Sequence, residues 1–188
     1  MEQLEEMLTK IGDFKQEEVN LVLNNVTERL IPKGTILIRE GQFSKQIFFI
    51  LAGYLRTYQL VDGKDKSISF GQPRQFIVAS NMFSDLPAEE NIESITEAKV
   101  VSLDAEKLDY LKHRIPKISF LMNQLFQEVL DCKERRIKDF IHLSSTERYR
   151  NFVLHHPELL KVVSINHLSS YLGVAPETIS RIRGKIIF

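Results

Sequence analysis

Two hydrophobic periods run along the chain, and they divide it. From Val26 to Leu103, apolar and polar positions alternate in short runs: VTERLI, GTILI, QIFFILAGYLRTYQL, SISF, QFIVA, NIESITEA and KVVSL. A period of two marks half-buried strands. Gly34, Gly41, Gly53, Gly63 and Gly71 punctuate these runs, and Asp62-Gly63 suits a tight hairpin turn. Many short strands at even spacing predict a small antiparallel β-roll or barrel. Ahead of them, Lys15 to Asn25 reads as a short amphipathic helix.

After Leu103 the period lengthens to that of helices. Asp104 is placed to cap a helix over DAEKLDYLKH, and Pro116 opens a long helical pattern that reaches Ile141. On that helix Ile118, Met122, Leu125, Val129 and Cys132 recur at alternating spacings of four and three, a heptad-like seam. A second apolar stripe, Leu121, Phe126, Leu130 and Ile137, lies beside it. One stripe can pack on the β-roll and the other on a partner helix, or both can pack within one chain. The first stripe is assigned here to a dimer interface, with Cys132 as a buried thiol.

Ser144 and Glu147 have capping-box spacing and open a helix over about 145–155, which Pro157 ends. Leu159 to Val163 suits a short strand or wing. Ser164 then caps INHLSSYLG, and Ala175-Pro176-Glu177 opens a last helix. The expected architecture is α+β: a β-roll over 1–115, a dimerisation helix over 116–141, and a winged helix-turn-helix over 142–188.

Residues 164–185 carry the strongest chemistry. Leu168, Tyr171 and Leu172 suit the inner face of a first helix, Gly173 the turn, and Ile179 and Ile182 the inner face of a second. That leaves Glu177 and Arg181 outward. Arg181 can donate two hydrogen bonds to guanine, and Glu177 can accept one from a cytosine amine. Ser164, Thr178, Ser180, Arg183 and Lys185 suit phosphate contacts and positioning.

Charge adds modestly to this picture. The chain of 188 residues has formal net charge zero, but Ile141 to Phe188 carries six basic against three acidic residues. One cysteine excludes an internal disulfide and a cysteine-based zinc or iron–sulfur site within one chain. None of the five histidines lies between Val26 and Leu103, which argues against a metal-bearing barrel enzyme. The acidic, amphipathic N-terminus does not read as a signal peptide, and no apolar run approaches membrane-spanning length, so a cytoplasmic, non-enzymatic protein is expected.

LSSYLGVAPETISRIRGKI, preceded at a distance by IPKGTILIREGQFSKQIFFILAGYLRTY, resembles the CRP/FNR family of transcription regulators. The resemblance spans nearly the whole chain. It implies a homodimer paired through the long helix on a two-fold double-stranded DNA operator, with Glu177 and Arg181 at the base-reading places. It also implies contact with RNA polymerase. The chain departs from the family's cyclic-nucleotide cassette. The corresponding stretch is QFIVASNMFSDLPAEENIESI, no glycine stands between Gly71 and Gly173, and Glu89, Glu90, Asn91, Ile92 and Glu93 occupy the region of the expected arginine. Lys133 and Glu134 stand where small hydroxyl residues would touch the base. The acidic run from Asp85 to Asp104, six carboxylates against Lys99 alone, is expected to repel a phosphate. The expectation is therefore no binding of cyclic AMP or cyclic GMP, no cofactor, and an unknown effector. Phe48, Phe49, Phe70, Phe76, Met82 and Phe83 could line a pocket for an uncharged ligand, or be plain core.

Overall fold

The computed structural model describes residues 1–185, with Ile11, Gly12 and Lys185 as backbone alone. The period-two region forms eight strands: β1 (Thr27–Ile31), β2 (Ile36–Ile38), β3 (Gln46–Ala52), β4 (Leu55–Val61), β5 (Lys64–Gly71), β6 (Phe76–Val78), β7 (Asn91–Ser94) and β8 (Ala98–Asp104). They make two four-stranded sheets, ordered β1-β8-β3-β6 and β2-β7-β4-β5. β8 runs antiparallel to β1 and β3, so Val100 faces both Arg29 and Ile50. Asp62 and Gly63, between β4 and β5, both take positive φ (52° and 71°), the backbone of a two-residue type I′ hairpin.

Helices α1 (Glu2–Gly12), α2 (Gln16–Leu23), α3 (Ala105–Arg114) and the start of α4 (Lys117–His142) accompany this roll. β3 is buried on both faces, which is why its apolar run is continuous. Phe48 and Ile50 join Ile38, Leu55, Ile92 and Val100 in one core. Ile47 and Phe49 join Leu4, Val19, Val101, Leu111, Ile118, Leu121 and Met122 in another. A cavity of about 50 Å³, lined by apolar side chains including Phe49, Phe76 and Met122, remains in the second core. Phe48, Phe49 and Met82 are therefore core, while Phe83 is exposed and meets Phe126 edge-on at 5.3 Å.

The α-helical remainder is α5 (Ser145–His155), a 3₁₀ turn (Leu159–Lys161), α6 (Ile165–Leu172) and α7 (Pro176–Lys185). Packing divides the chain into two units. One is Met1–Thr57 with Phe70–Glu128; the other is Tyr58–Ser69 with the chain from Val129 onward. The division falls inside α4 and inside the β4–β5 hairpin.

Two expectations need correction. Ile118 and Met122 lie in the first unit's own core, so they cannot line a dimer seam, and Leu125 packs against that core. Within a single chain Val129 is half-buried and Cys132 is exposed. Leu159–Val163 is no wing: no strand occurs in 142–185 among the described residues. Leu159 and Val163 are both buried at a spacing of four, which a helical turn satisfies and a strand does not.

Candidate nucleic-acid interface and ligand cassette

The second unit is built on local signals. Ser144 caps α5 by accepting the Glu147 N–H, and the Glu147 carboxylate accepts the Ser144 N–H in return at 2.8 Å. The Ser144 hydroxyl and N–H hold the Glu147 carboxyl below its usual range. Ser164 caps α6 by accepting the His167 N–H at 3.1 Å. α6 ends in a Schellman turn: the Val174 N–H reaches the Ser169 C=O at 3.0 Å, and the Gly173 N–H the Ser170 C=O at 3.3 Å. Gly173 supplies the positive φ this needs, 66°.

Tyr149, Phe152, Leu159, Val163, Leu168, Leu172, Ile179 and Ile182 are buried and form the core of this head. Two cations meet the last carbonyls of α6: Arg148 donates Nε to the Leu172 C=O at 3.1 Å, and Arg136 donates Nη2 to the Tyr171 C=O at 3.0 Å. The Arg148 guanidinium also lies 4.7 Å from the Phe140 ring centroid.

Burial of Ile179 and Ile182 turns one face of α7 inward and leaves Glu177, Ser180 and Arg181 exposed. Glu177 and Arg181 are one turn apart on that face. Among the described residues, no hydrogen bond or ion pair engages either side chain. Ser164 is exposed at the start of α6, and Thr178 is half-buried in the first turn of α7. The Ser180 hydroxyl donates back to the Pro176 C=O at 3.3 Å. Arg183 is tied down, its Nε donating to the Tyr149 hydroxyl at 3.1 Å, a partner the sequence did not suggest. The Lys185 side chain lies outside the described residues.

The segment corresponding to a cyclic-nucleotide cassette, Phe76 to Ile95, closes on itself. Glu90 is only 7 % exposed, and its carboxylate accepts the Ser80 N–H. The Glu89 N–H donates to the Ser80 hydroxyl at 3.0 Å. Asn81, at φ 60°, donates its amide to the Pro87 C=O at 3.1 Å and to the Glu89 carboxylate at 3.3 Å. Arg56, 2 % exposed, pairs with Glu93, whose Oε1 accepts its Nε at 2.9 Å and its Nη2 at 2.6 Å. Glu90 was visible in the sequence as a misplaced charge, but not as the acceptor for this turn. A cyclic phosphate placed here meets two carboxylates, and the buried guanidinium nearby already holds a third.

Among the described residues no cluster of three or more histidine, cysteine or acidic side chains is placed to hold a metal, and no helix is long and apolar enough to cross a membrane.

Comparison with known proteins bears on both regions. Residues 28–114 match the family described as "Cyclic nucleotide-binding domain". The chain is 27 % identical over 169 residues to the transcriptional activator protein anr of Pseudomonas aeruginosa, covering 82 % of this chain and 68 % of that one. It is 22 % identical to the cyclic AMP receptor protein of Thermus thermophilus, covering 88 % and 79 %. In fold it is similar to FixK2 from Bradyrhizobium japonicum, with a TM-score of 0.74 at 18 % identity over 85 % of this chain and 83 % of that one.

Proposed function

Since the chain belongs to the CRP/FNR family of DNA-binding transcription regulators with a cyclic nucleotide-binding domain, we propose that it reads a two-fold DNA site as a homodimer and takes no cyclic nucleotide as effector. Its relatives are transcription regulators, and the protein is not an enzyme.

The observation that carries the DNA reading is α7. Its inner face is sealed in the head's core, and its outer face presents Glu177 and Arg181 one turn apart. Arg181 takes guanine by its fork, and Glu177 takes the amine of the neighbouring cytosine. Ser164 and Thr178 hold phosphates, with the α6 N-terminus attracting the anion. Arg183, seated on Tyr149, adds its free guanidinium nitrogens to the backbone. The test is selection from random duplex DNA. The unaltered protein should enrich a symmetric site, and Arg181→Ala should weaken binding to it about 10- to 100-fold, the loss of one bidentate base contact. Equal enrichment by both proteins would exclude Arg181 as a base reader.

Dimerisation is best supported on a stripe of α4 other than the one read from spacing. Phe120, Asn123, Gln127, Leu130, Glu134, Ile137 and Ile141 recur at alternating three and four residues, and all are exposed. That is heptad spacing, apolar at Phe120, Leu130, Ile137 and Ile141 and polar at Asn123, Gln127 and Glu134, exposed within its own chain. RNA polymerase is the partner expected of a regulator of this kind, on the strength of the family alone.

The nucleotide reading rests on Glu90. Its carboxylate already satisfies the backbone N–H that an anionic ligand would need, and Glu89 stands beside it. Calorimetric titration with cyclic AMP or cyclic GMP should show no binding tighter than roughly millimolar. A micromolar dissociation constant would overturn this part of the reading while leaving the DNA part intact.

A further inference from the structure

β5 is the last strand of its sheet, so its outward N–H and C=O groups have no neighbouring strand. Within the second unit, side chains of the reading head take their place. The Ser170 hydroxyl, on α6, accepts the Ser67 N–H at 2.9 Å and donates to the Asp65 C=O at 3.1 Å. One hydroxyl thus does what a residue of an added strand would do. The Arg136 guanidinium, on α4, donates Nη1 to the Ile68 C=O at 2.6 Å and Nη2 to the Ser67 C=O at 3.3 Å. Nη2 also reaches the Tyr171 C=O on α6 at 3.0 Å, and the guanidinium lies 4.5 Å from the Tyr171 ring centroid. Burial pulls Arg136 below the ordinary guanidinium range and pushes the Tyr171 phenol up.

From this geometry we infer that Ser170 and Arg136 are positioning residues for DNA recognition. They clamp α6 to the edge of the β4–β5 hairpin and so set the angle at which α7 is presented. The inference rests on the DNA reading above. Ser170 is well placed for the role because its own carbonyl accepts the Gly173 N–H of the turn. Only Gly173, Val174 and Ala175 separate α6 from α7, so a shift of Ser170 is passed on almost undiminished. Base contacts tolerate little displacement, because both hydrogen bonds of a fork must align. Attraction to phosphates tolerates much more. A clamp that only stabilised the fold would weaken both kinds of binding together.

The test uses the full chain and three variants: Ser170→Ala, Ser170→Thr and Arg136→Lys. Each is titrated with the duplex that the unaltered protein selects and with an unrelated duplex, at two salt concentrations. Amide exchange at Ser67 is followed for the two Ser170 variants. Ser170→Ala and Arg136→Lys should weaken binding to the selected duplex about five- to tenfold. Binding to the unrelated duplex should stay within about twofold, with an unchanged salt slope. Ser170→Ala should also speed exchange at Ser67, and Ser170→Thr, which keeps the hydroxyl, should match the unaltered protein throughout. Equal weakening on both duplexes, unchanged affinity for the selected one, or unchanged exchange at Ser67 overturns the inference. If the unaltered protein selects no duplex, the DNA reading falls and the positioning role falls with it, a result visible before any variant is studied.

Discussion

A chain carrying Leu130→Asp and Ile137→Asp is expected to sediment as a single 21.8 kDa protomer, with both of its units still folded. Leu130 and Ile137 are 58 % and 59 % exposed within their own chain, so their replacement removes nothing from its cores. In a symmetric dimer, each substitution acts twice. Burying a Leu or Ile side chain stabilises by about 1.5–3 kcal/mol, so four lost side chains remove roughly 6–12 kcal/mol, and four carboxylates must then be desolvated. Association should weaken by more than about a thousandfold. Operator affinity should fall with it, because each protomer then reads one half-site. Met122→Asp is the contrasting variant. Met122 lies in the core of the first unit, so its replacement should unfold that unit. The seam also contains Glu134, which would face its own symmetry mate and is partly neutralised by Lys138 at 2.8 Å. Glu134→Leu should therefore tighten the dimer. A Leu130, Ile137 double variant that remains dimeric would place the interface elsewhere.

Gly173→Val should cost the reading head most of its stability and abolish specific DNA binding. Two effects add. Residue 173 takes φ 66° and ψ 40°, the left-handed region, where a β-branched residue is strained by about 1–2 kcal/mol. A β-carbon there would also lie 2.6 Å from Phe140 Cε1 and 3.2 Å from its Cζ. Overpacking of that kind costs about 1–3 kcal/mol. The Phe140 ring has little room to yield, since the Arg148 and Arg136 guanidinium groups lie over it. The combined loss of roughly 2–5 kcal/mol corresponds to about 10–30 °C in the melting temperature of a unit this small. Calorimetry should show that transition shifted while the transition of the first unit stays in place. Gly173→Asn separates the two effects, because asparagine tolerates the left-handed backbone but brings the same β-carbon. It should lose less than valine. A valine variant melting within a few degrees of the unaltered protein would mean that the turn is not under the constraint its geometry describes.

The features legible in the sequence were those decided within a few residues. Asp104, Ser144 with Glu147, Ser164 and Pro176 open their helices as read, because a cap needs only its own side chain and a backbone N–H two or three residues on. The strand runs were legible because burial of one face imposes a period of two whatever the partner strand is. Gly173 was legible because few residues other than glycine take that backbone readily. The outward placement of Glu177 and Arg181 followed from the spacing of Ile179 and Ile182, again a local matter.

Packing decided the rest. α4 carries apolar side chains on more than one stripe, and periodicity cannot say which stripe the chain keeps for itself. The first unit's helices and its first sheet settle that by covering Ile118, Leu121 and Met122, which leaves Phe120, Leu130 and Ile137 to solvent. The Ser67–Ser170 bond joins residues 103 apart and uses an ordinary helix serine, so no local pattern marks it. Glu90 is the clearest case. In the sequence it stands only as one member of an acidic run. That its carboxylate is turned inward to accept the Ser80 N–H was settled only when the loop folded back, because residues ten apart meet there and a backbone N–H withdrawn from water needs an acceptor.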